Sequence, residues 1–490
     1  MPRITRAFAL LLFICTSANA DLQATVRRLI SGADLNGGHA AVCIIDLESG
    51  KELVAIDADA ALVPASNQKL LSTGTALHVL GPEFAFRTRL LLDGDRLIVL
   101  GDGDPSLGDP ALLEGSGSTP EQELLEQMME RWADAVANAG VHSVQELIVD
   151  DRIFDRNFIH PSWPANQINN WYCAQVSGLN FHCNVLHFYP SPGSNGRANL
   201  GAIAPAVPFY SIENRTTARR GAKDKSSFWV ARLPNTNRLT ARGNVKATHE
   251  KPVRIAIHDP AMLFGEVLAN ALRSRGISVT DVRVASEEDP PSTGRVLLEV
   301  TSPIAASLQR ANTDSHNMYA EALLKRLATA VTGSPGSYED GASIIRHAVE
   351  QRTGRRDRSL HPADGSGMSR ENRVSTRTLA RWLATFDPHE PIGQSLVESM
   401  ARGGESGTLD DRFRGVDLRD CSVYAKSGYL RGVSGLSGFV MDRDGDCITF
   451  SILVNDVEGT VRGAKRLQEA IVAAIAAQRS ASAAVTSRRR

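Results

Sequence analysis

Lysine is scarce in this chain: nine residues (51, 69, 223, 225, 246, 251, 325, 426 and 465) out of 490. Arginine supplies the rest of the 54 cationic side chains, which meet 55 Asp and Glu for a formal net charge of −1. That balance makes no electrostatic case for nucleic acid or an anionic membrane as partner. Cysteine is rare too, six in all. With no C-x-x-C or H-E-x-x-H spacing the sequence carries no metal signature and implies no cofactor. No G-x-S-x-G occurs, which removes the nucleophile elbow of the Ser-His-Asp hydrolases. No apolar run reaches the length of a membrane helix.

What is present begins with an export signal. Arg3 and Arg6 precede the apolar run Phe8 to Ile14, and Ala18-Asn19-Ala20 has the small-x-small form of a cleavage site. Residues 1–20 are therefore expected to be removed, leaving an exported, periplasmic chain without an integral membrane segment. Five cysteines then remain: Cys43, Cys173, Cys183, Cys421 and Cys447. Cys173 and Cys183 are close enough to close a small loop, whereas Cys43 and Cys447 lie in apolar, strand-like runs and read as buried thiols.

The length calls for more than one domain. His39 to Asp46 alternates poorly, as a strand buried on both faces does, and Ser49-Gly50 turns it into a second strand around Leu53 to Ile56. A helix is predicted from Leu70 to the stop at Gly81-Pro82. From residue 85 to 300 the texture changes to short strands and Gly- and Pro-rich turns, with a hairpin at Asp93-Gly94-Asp95 and one clear helical run from Glu121 to Ala137. Helical spacing returns with Tyr319, Leu323, Leu324 and Leu327. Strands follow at Ser422 to Tyr429, Leu436 to Met441 and Cys447 to Val454, then a helix from about 459 to 477. This predicts an α/β (α+β) domain from 21–84 and 301–478, split by an insertion at 85–300 large enough to be a domain of its own, with a disordered tail at 479–490.

The scarcity of lysine sharpens the chemistry. Only Lys69 has a serine three residues before it, giving Ser66-Asn67-Gln68-Lys69. Residues three apart at a helix start share a face, so hydroxyl and amine can meet. A serine hydroxyl is a weak nucleophile until a neighbour takes its proton. Lysine can do this once burial and nearby charge, here that of Lys426, keep it neutral; arginine cannot. Alone the motif is weak, since a helix cap and a solvated lysine would look the same. Two further segments change this: Ser315-His316-Asn317 ahead of a helix, and Lys426-Ser427-Gly428 on a strand. A Lys-[Ser/Thr]-Gly triplet arises by chance in about one such chain in ten. Ser-x-x-Lys, Ser-x-Asn and Lys-[Ser/Thr]-Gly, in that order, form the signature of penicillin-binding proteins and β-lactamases.

With these motifs the chain resembles the class C low-molecular-mass penicillin-binding proteins, the D-alanyl-D-alanine carboxypeptidase/endopeptidases. The likeness extends over Pro64 to Lys69, Gly101 to Leu107, Ser315 to Glu321, Asp364 to Arg370, Gly407-Thr408-Leu409 and Lys426 to Gly428. It implies a penicillin-binding/β-lactamase-like domain with a five-stranded antiparallel sheet and flanking helices, split by a large insertion, 85–300, of β-rich accessory domains. It also implies peptidoglycan stem peptides as substrate and β-lactams as covalent inhibitors. The expected roles are Ser66 as nucleophile, Lys69 as base and Ser315 as proton relay to the departing D-alanine. Asn317 would hold the substrate amide, Lys426 and Ser427 the terminal carboxylate, and Gly428 the close approach of the peptide. The N–H groups of Ser66 and Tyr429 would form the oxyanion hole. Gln167 stands where some members use an aspartate to recognise the diamino-acid side chain. His316 reads as a rim residue, Asp364-Gly365-Ser366-Gly367 as a turn shaping the cleft, and Asp102 and Asp104 as turn residues. A serine β-lactamase and a non-catalytic sensor of β-lactams or peptidoglycan remain as alternatives; label turnover separates them.

Overall fold

A computed structural model describes residues 22–113, 119–218 and 226–487. The expected signal at residues 1–20 lies outside them. The chain forms two compact units: one comprises the chain up to Pro82, Leu308–Leu327 and the chain from Tyr338, the other Glu83–Ser307 and Ala328–Ser337.

The first unit is built on a sheet in the order Ala401–Arg402, Ser422–Leu430, Val433–Met441, Cys447–Asn455, His39–Asp46 and Glu52–Ile56. Every neighbouring pair is antiparallel. Five strands match the expectation, and the sixth, two residues long, is an addition at the edge. The first long strand of the chain pairs with its last, His39 opposite Asn455 and Asp46 opposite Ile448. Both faces are covered, which is why His39–Asp46 alternates poorly. On one face Val42, Ile44 and Ile452 pack with Leu22 and Val26 of the helix at residues 22–31, and with Leu467, Ile471 and Ile475 of the Arg462–Ser487 helix. On the other, Cys43 and Ile45 pack against Ala380 of the Thr376–Ala384 helix. Cys43 and Cys447 are buried thiols, each pushed up to about 12, chiefly by desolvation.

The Gln68–Leu80 helix has buried residues around its whole circumference from Gln68 to Leu77. Trp382 donates its indole N–H to the Leu70 carbonyl at 2.9 Å, and Gly74 leaves room for that ring. Such a helix is held by its surroundings rather than by an amphipathic stripe. The closing helix runs on to Ser487, past the point where the sequence suggests a disordered tail. Alanine favours that continuation, and Arg479 anchors it with a 2.7 Å ion pair to Asp442.

The second unit centres on a five-stranded sheet in the order Ser278–Val284, Ser143–Asp150, Arg96–Leu100, Ala85–Asp93 and Arg295–Pro303. Two of its pairings are parallel. The predicted hairpin is present, with Asp93 opposite Arg96. The helix Glu121–Asn138 is joined by a second, Pro260–Ser274, and Trp132 meets Phe264 edge-on between them at 5.2 Å. Asp104 serves a turn, accepting from the Ser106 N–H at 2.8 Å, and also accepts from the Ser302 hydroxyl at 2.6 Å, whereas Asp102 accepts from the N–H of Arg87 in the strand Ala85–Asp93 at 2.9 Å.

Candidate active site

Ser66 lies in a 3-10 turn, Ala65–Asn67, that runs straight into the Gln68–Leu80 helix. The spacing predicted to bring hydroxyl and amine together does so: Lys69 Nζ is 3.1 Å from Ser66 Oγ. The amine also donates to Asn317 Oδ1 at 2.7 Å and to the Ser366 carbonyl at 2.8 Å. Three acceptors hold it in one place, and no solvent reaches the side chain. Burial pushes its pKa down from 10.5 to about 7, while the charges of Glu321 and Asp364 pull it back up. An amine in this position can exchange a proton with the serine near neutral pH.

The turn at 364–367 supplies more than shape. Asp364 accepts from the N–H groups of Gly367 at 2.8 Å and Ser369 at 2.6 Å, and from Asn372 Nδ2 at 2.8 Å. Glu321 accepts from the N–H groups of Gly365 at 2.7 Å and Ser366 at 2.8 Å. These bonds aim the Ser366 carbonyl at Lys69. Gly367 sits at φ +82°, and a β-carbon there would fall 1.8 Å from the Ala65 carbonyl oxygen, so the turn presses on the backbone just before Ser66. Glu321 is itself fully buried, and desolvation followed by the charge of Asp364 raises its pKa. The sequence signal for these roles was present in Asp364 to Arg370 and Ser315 to Glu321, yet it did not reveal that a buried glutamate fixes the carbonyl that holds Lys69.

Lys426, Ser427 and Gly428 lie on the Ser422–Leu430 strand. Lys426 is fully buried, and its pKa falls well below 10.5, first through burial and then through the charge of Lys69. The repulsion expected to help neutralise Lys69 thus falls on Lys426, while burial is what lowers Lys69. Lys426 Nζ donates to the Ser427 carbonyl at 2.9 Å, and the Ser427 hydroxyl meets Thr408 Oγ1 at 2.9 Å. Gly428 packs on the Ser66 turn: a β-carbon there would stand 2.7 Å from Asn67 Nδ2, 2.9 Å from the Pro64 carbonyl oxygen and 3.1 Å from the Ser66 nitrogen. The short strand Ala401–Arg402 pairs only as far as Ala425, so the outer edge from Lys426 onward has no strand neighbour among the described residues. Tyr429 turns its ring to solvent at 62 % exposure and pairs with Ser434, which leaves only its backbone for a role in the cleft.

Ser315 is half-buried with φ +60°, two residues before Asn317, the first residue of the helix Asn317–Thr332. His316 is not at the rim. It is 3 % exposed, its N–H donates to the Arg310 carbonyl at 3.0 Å, and its ring meets Tyr319 edge-on. The expected rim residue is thus packed inside, between Arg310 and Tyr319. The structure therefore joins Ser66, Lys69 and Asn317 by hydrogen bonds, sets Lys426 within electrostatic reach of Lys69, and packs Gly428 on the Ser66 backbone. In the second unit Gln167 accepts from the Tyr172 hydroxyl at 3.4 Å.

Comparison with known proteins gives a consistent result. The D-Ala-D-Ala carboxypeptidase 3 (S13) family matches residues 22–478. A D-alanyl-D-alanine carboxypeptidase of Actinomadura sp. strain R39 is 29 % identical over 463 residues, covering 90 % of this chain and 82 % of the relative. The D-alanyl-D-alanine carboxypeptidase DacB of Haemophilus influenzae is 24 % identical over 430 residues, covering 83 % and 84 %. The crystal structure of penicillin binding protein 4 (dacB) from that organism has the same fold, with a TM-score of 0.73 at 21 % identity over 92 % of this chain and 97 % of that one.

Proposed function

As the chain belongs to the D-Ala-D-Ala carboxypeptidase 3 (S13) family, it is a serine D-alanyl-D-alanine carboxypeptidase of the penicillin-binding kind, and we propose that Ser66 is its nucleophile and Lys69 its general base. The observation that carries this is the fully buried Lys69 amine 3.1 Å from the Ser66 hydroxyl. In the acylation step the Ser66 proton passes to Lys69 as Oγ bonds to the carbonyl carbon of the penultimate D-alanine. The C–N bond to the terminal D-alanine then breaks, and Ser315 relays a proton to the departing nitrogen. Water attacks the ester, releasing the shortened peptide and restoring the Ser66 hydroxyl.

The other residues bind. Asn317 has its Oδ1 engaged by Lys69, so its Nδ2 is the group suited to the substrate carbonyl. Lys426 and the Ser427 hydroxyl, aligned by Thr408, receive the terminal carboxylate. A peptide laid along the open edge at Gly428 would add as a strand, with its scissile carbonyl at the N–H groups of Ser66 and Tyr429. A β-lactam would enter the same acylation, as its ring amide presents a comparable carbonyl beside a carboxylate.

We further propose that this machinery belongs to a domain of residues 21–84 and 301–478 carrying an inserted accessory region at 85–300. Residues 1–20 would direct export, so that the enzyme acts on stem peptides in the periplasm. Among the described residues no helix is long and apolar enough to cross a membrane. Labelling with a fluorescent penicillin, followed by product analysis on cross-linked and uncross-linked muropeptides, tests the reading. Expected are stable label on the wild-type chain, none on Ser66→Ala, and release of D-alanine or of separated peptides. Label on another serine would refute the nucleophile, and rapid loss of label would mark a β-lactamase.

A further inference from the structure

We propose that Glu121, His182 and His187 form a binding site for one divalent transition-metal ion of the zinc type in the second unit. The proposal goes beyond the peptidase reading, which uses none of these residues. A ligand atom from each lies within 4.8 Å of the others. The side chain of His182 is fully buried, while His187 and Glu121 are 8 % and 13 % exposed, so the cluster is internal with one edge open for an ion to enter.

The tautomer argues for a cation. His182 Nδ1 lies 2.8 Å from the Val185 carbonyl oxygen. A carbonyl only accepts, so Nδ1 carries a proton, and the lone pair of a neutral ring is left on Nε2. That nitrogen points at Glu121 Oε1 in close contact. Lone pair against carboxylate repels unless a proton or a metal ion stands between them. His187 directs Nδ1 at the same carboxylate at 2.9 Å, and the two imidazole rings lie 4.6 Å apart. His187 can meet the carboxylate as a neutral ring protonated on Nδ1, whereas His182 can do so only as an imidazolium; one shared ion satisfies both nitrogens and the carboxylate together. An imidazole fixed by a backbone carbonyl through its second nitrogen is the usual support of a metal-bound histidine.

The backbone is bent to make this arrangement. His182, Cys183 and Asn184 have φ of 53°, 52° and 56°, three consecutive non-glycine residues in the left-handed region. L-residues resist that conformation, and it persists only where the surroundings over-determine it. The His182 N–H donates to the Leu107 carbonyl at 3.0 Å, and the Asn184 side chain bonds the Phe181 N–H at 2.9 Å and the Gln175 carbonyl at 2.7 Å. The result turns the His182 ring toward the first turn of the Glu121–Asn138 helix.

Two imidazoles and one carboxylate are a borderline donor set that suits Zn²⁺ and disfavours Mg²⁺ and Ca²⁺. Ligand atoms around tetrahedral zinc stand roughly 3.3 Å apart, from metal–ligand lengths near 2.0–2.1 Å, so a small rotation of Glu121 admits the ion. The Tyr189 hydroxyl, 2.7 Å from Glu121 Oε2, orients that carboxylate, and a water would complete the shell. The ion would tie the start of the Glu121–Asn138 helix to the Val185–Phe188 strand, a structural rather than catalytic task.

The test is a Zn²⁺ titration of the full chain after chelator treatment, with metal analysis and calorimetric melting. Expected is one zinc per chain and a rise in melting temperature of about 5–10 °C at a hundredfold excess over the dissociation constant. Bound Co²⁺ should show the visible bands of a four-coordinate site. Glu121→Gln and His187→Gln should each weaken zinc binding at least about a hundredfold, leaving the rate of β-lactam acylation unchanged. If the wild-type chain takes up no stoichiometric zinc and its melting ignores Zn²⁺, the proposal fails whatever the variants do, and the cluster is held by protons alone. Zinc binding that survives both substitutions would equally overturn it.

Discussion

With Lys69 in the proposed role of base, the pH dependence of acylation follows from the burial of one amine. Only neutral Lys69 can take the Ser66 proton, and its pKa is lowered from 10.5 to about 7. At pH 7 an ordinary lysine would be neutral in about three molecules in ten thousand, whereas Lys69 is neutral in about half, so burial raises the competent fraction by about a thousandfold. The second-order rate of labelling by a penicillin should therefore climb about tenfold per pH unit below the midpoint and level off above it. The charge of Glu321, ahead of that of Asp364, opposes the shift. Glu321→Gln keeps the side chain's size and removes this ionisable group, so any movement of the climb should be to lower pH. The shift also has a stability cost with a definite sign. Between about pH 7 and 10.5 the unfolded chain binds the Lys69 proton and the folded chain does not, so this group makes stability rise with pH across that window and adds no slope below it. Stopped-flow labelling from pH 5 to 9, with a melting check at each point, measures both. A rate that is flat below neutrality, or a midpoint near that of free lysine, would refute the assignment of Lys69 as base.

Other consequences are as sharp. Lys69→Arg retains the positive charge but loses the removable proton, so penicillin labelling should fall by about a thousandfold or more while circular dichroism stays native. Gly428→Val would drive a side chain into Asn67, Pro64 and the Ser66 nitrogen; acylation should drop by more than about a hundredfold, measured as loss of the maximal rate rather than of affinity alone. Gly367→Ala meets both a positive φ and the Ala65 carbonyl at 1.8 Å, and should cost about 3 kcal/mol or more in denaturant unfolding.

How much of this was legible depended on whether the signal was local. The strand His39–Asp46, the hairpin at Asp93 to Arg96 and the helix beginning at Glu121 were readable because a few adjacent residues specify each. The Ser66–Lys69 contact was readable for the same reason, being a matter of helical spacing. The helix Pro260–Ser274 was missed although its start is marked: the Asp259 side chain caps the Met262 N–H at 3.1 Å, and proline follows at the first helical position. Its neighbours in sequence are short strands and turns, which masked the cap. Nor could spacing reveal the cluster of Glu121, His182 and His187, because the carboxylate comes from a helix start some sixty residues before the imidazoles.

The properties that would make Lys69 a base are the least local of all. Its spacing from Ser66 is set by one helical turn, but its neutrality comes from burial, and that burial is completed by distant segments: Asn317 from one helix start, and Ser366 from a turn clamped by Glu321 and Asp364. All six strands of the first unit's sheet lie outside Glu83–Ser307, so the insertion interrupts the chain without removing a strand. The pairing of the first long strand with the last joins the two parts of that sheet, with His39 opposite Asn455. Asn455 then reaches back, accepting from the Val63 N–H at 2.9 Å and donating to the Val63 carbonyl at 3.1 Å, three residues before Ser66. The end of the chain thus helps position the beginning of the Ser66 turn. A short motif can name the reacting atoms, but the proton affinity of the amine is a property of the assembled unit. Substitutions at Glu321 or Asn455, neither of which is in the Ser-x-x-Lys motif, are accordingly the ones that separate motif from environment.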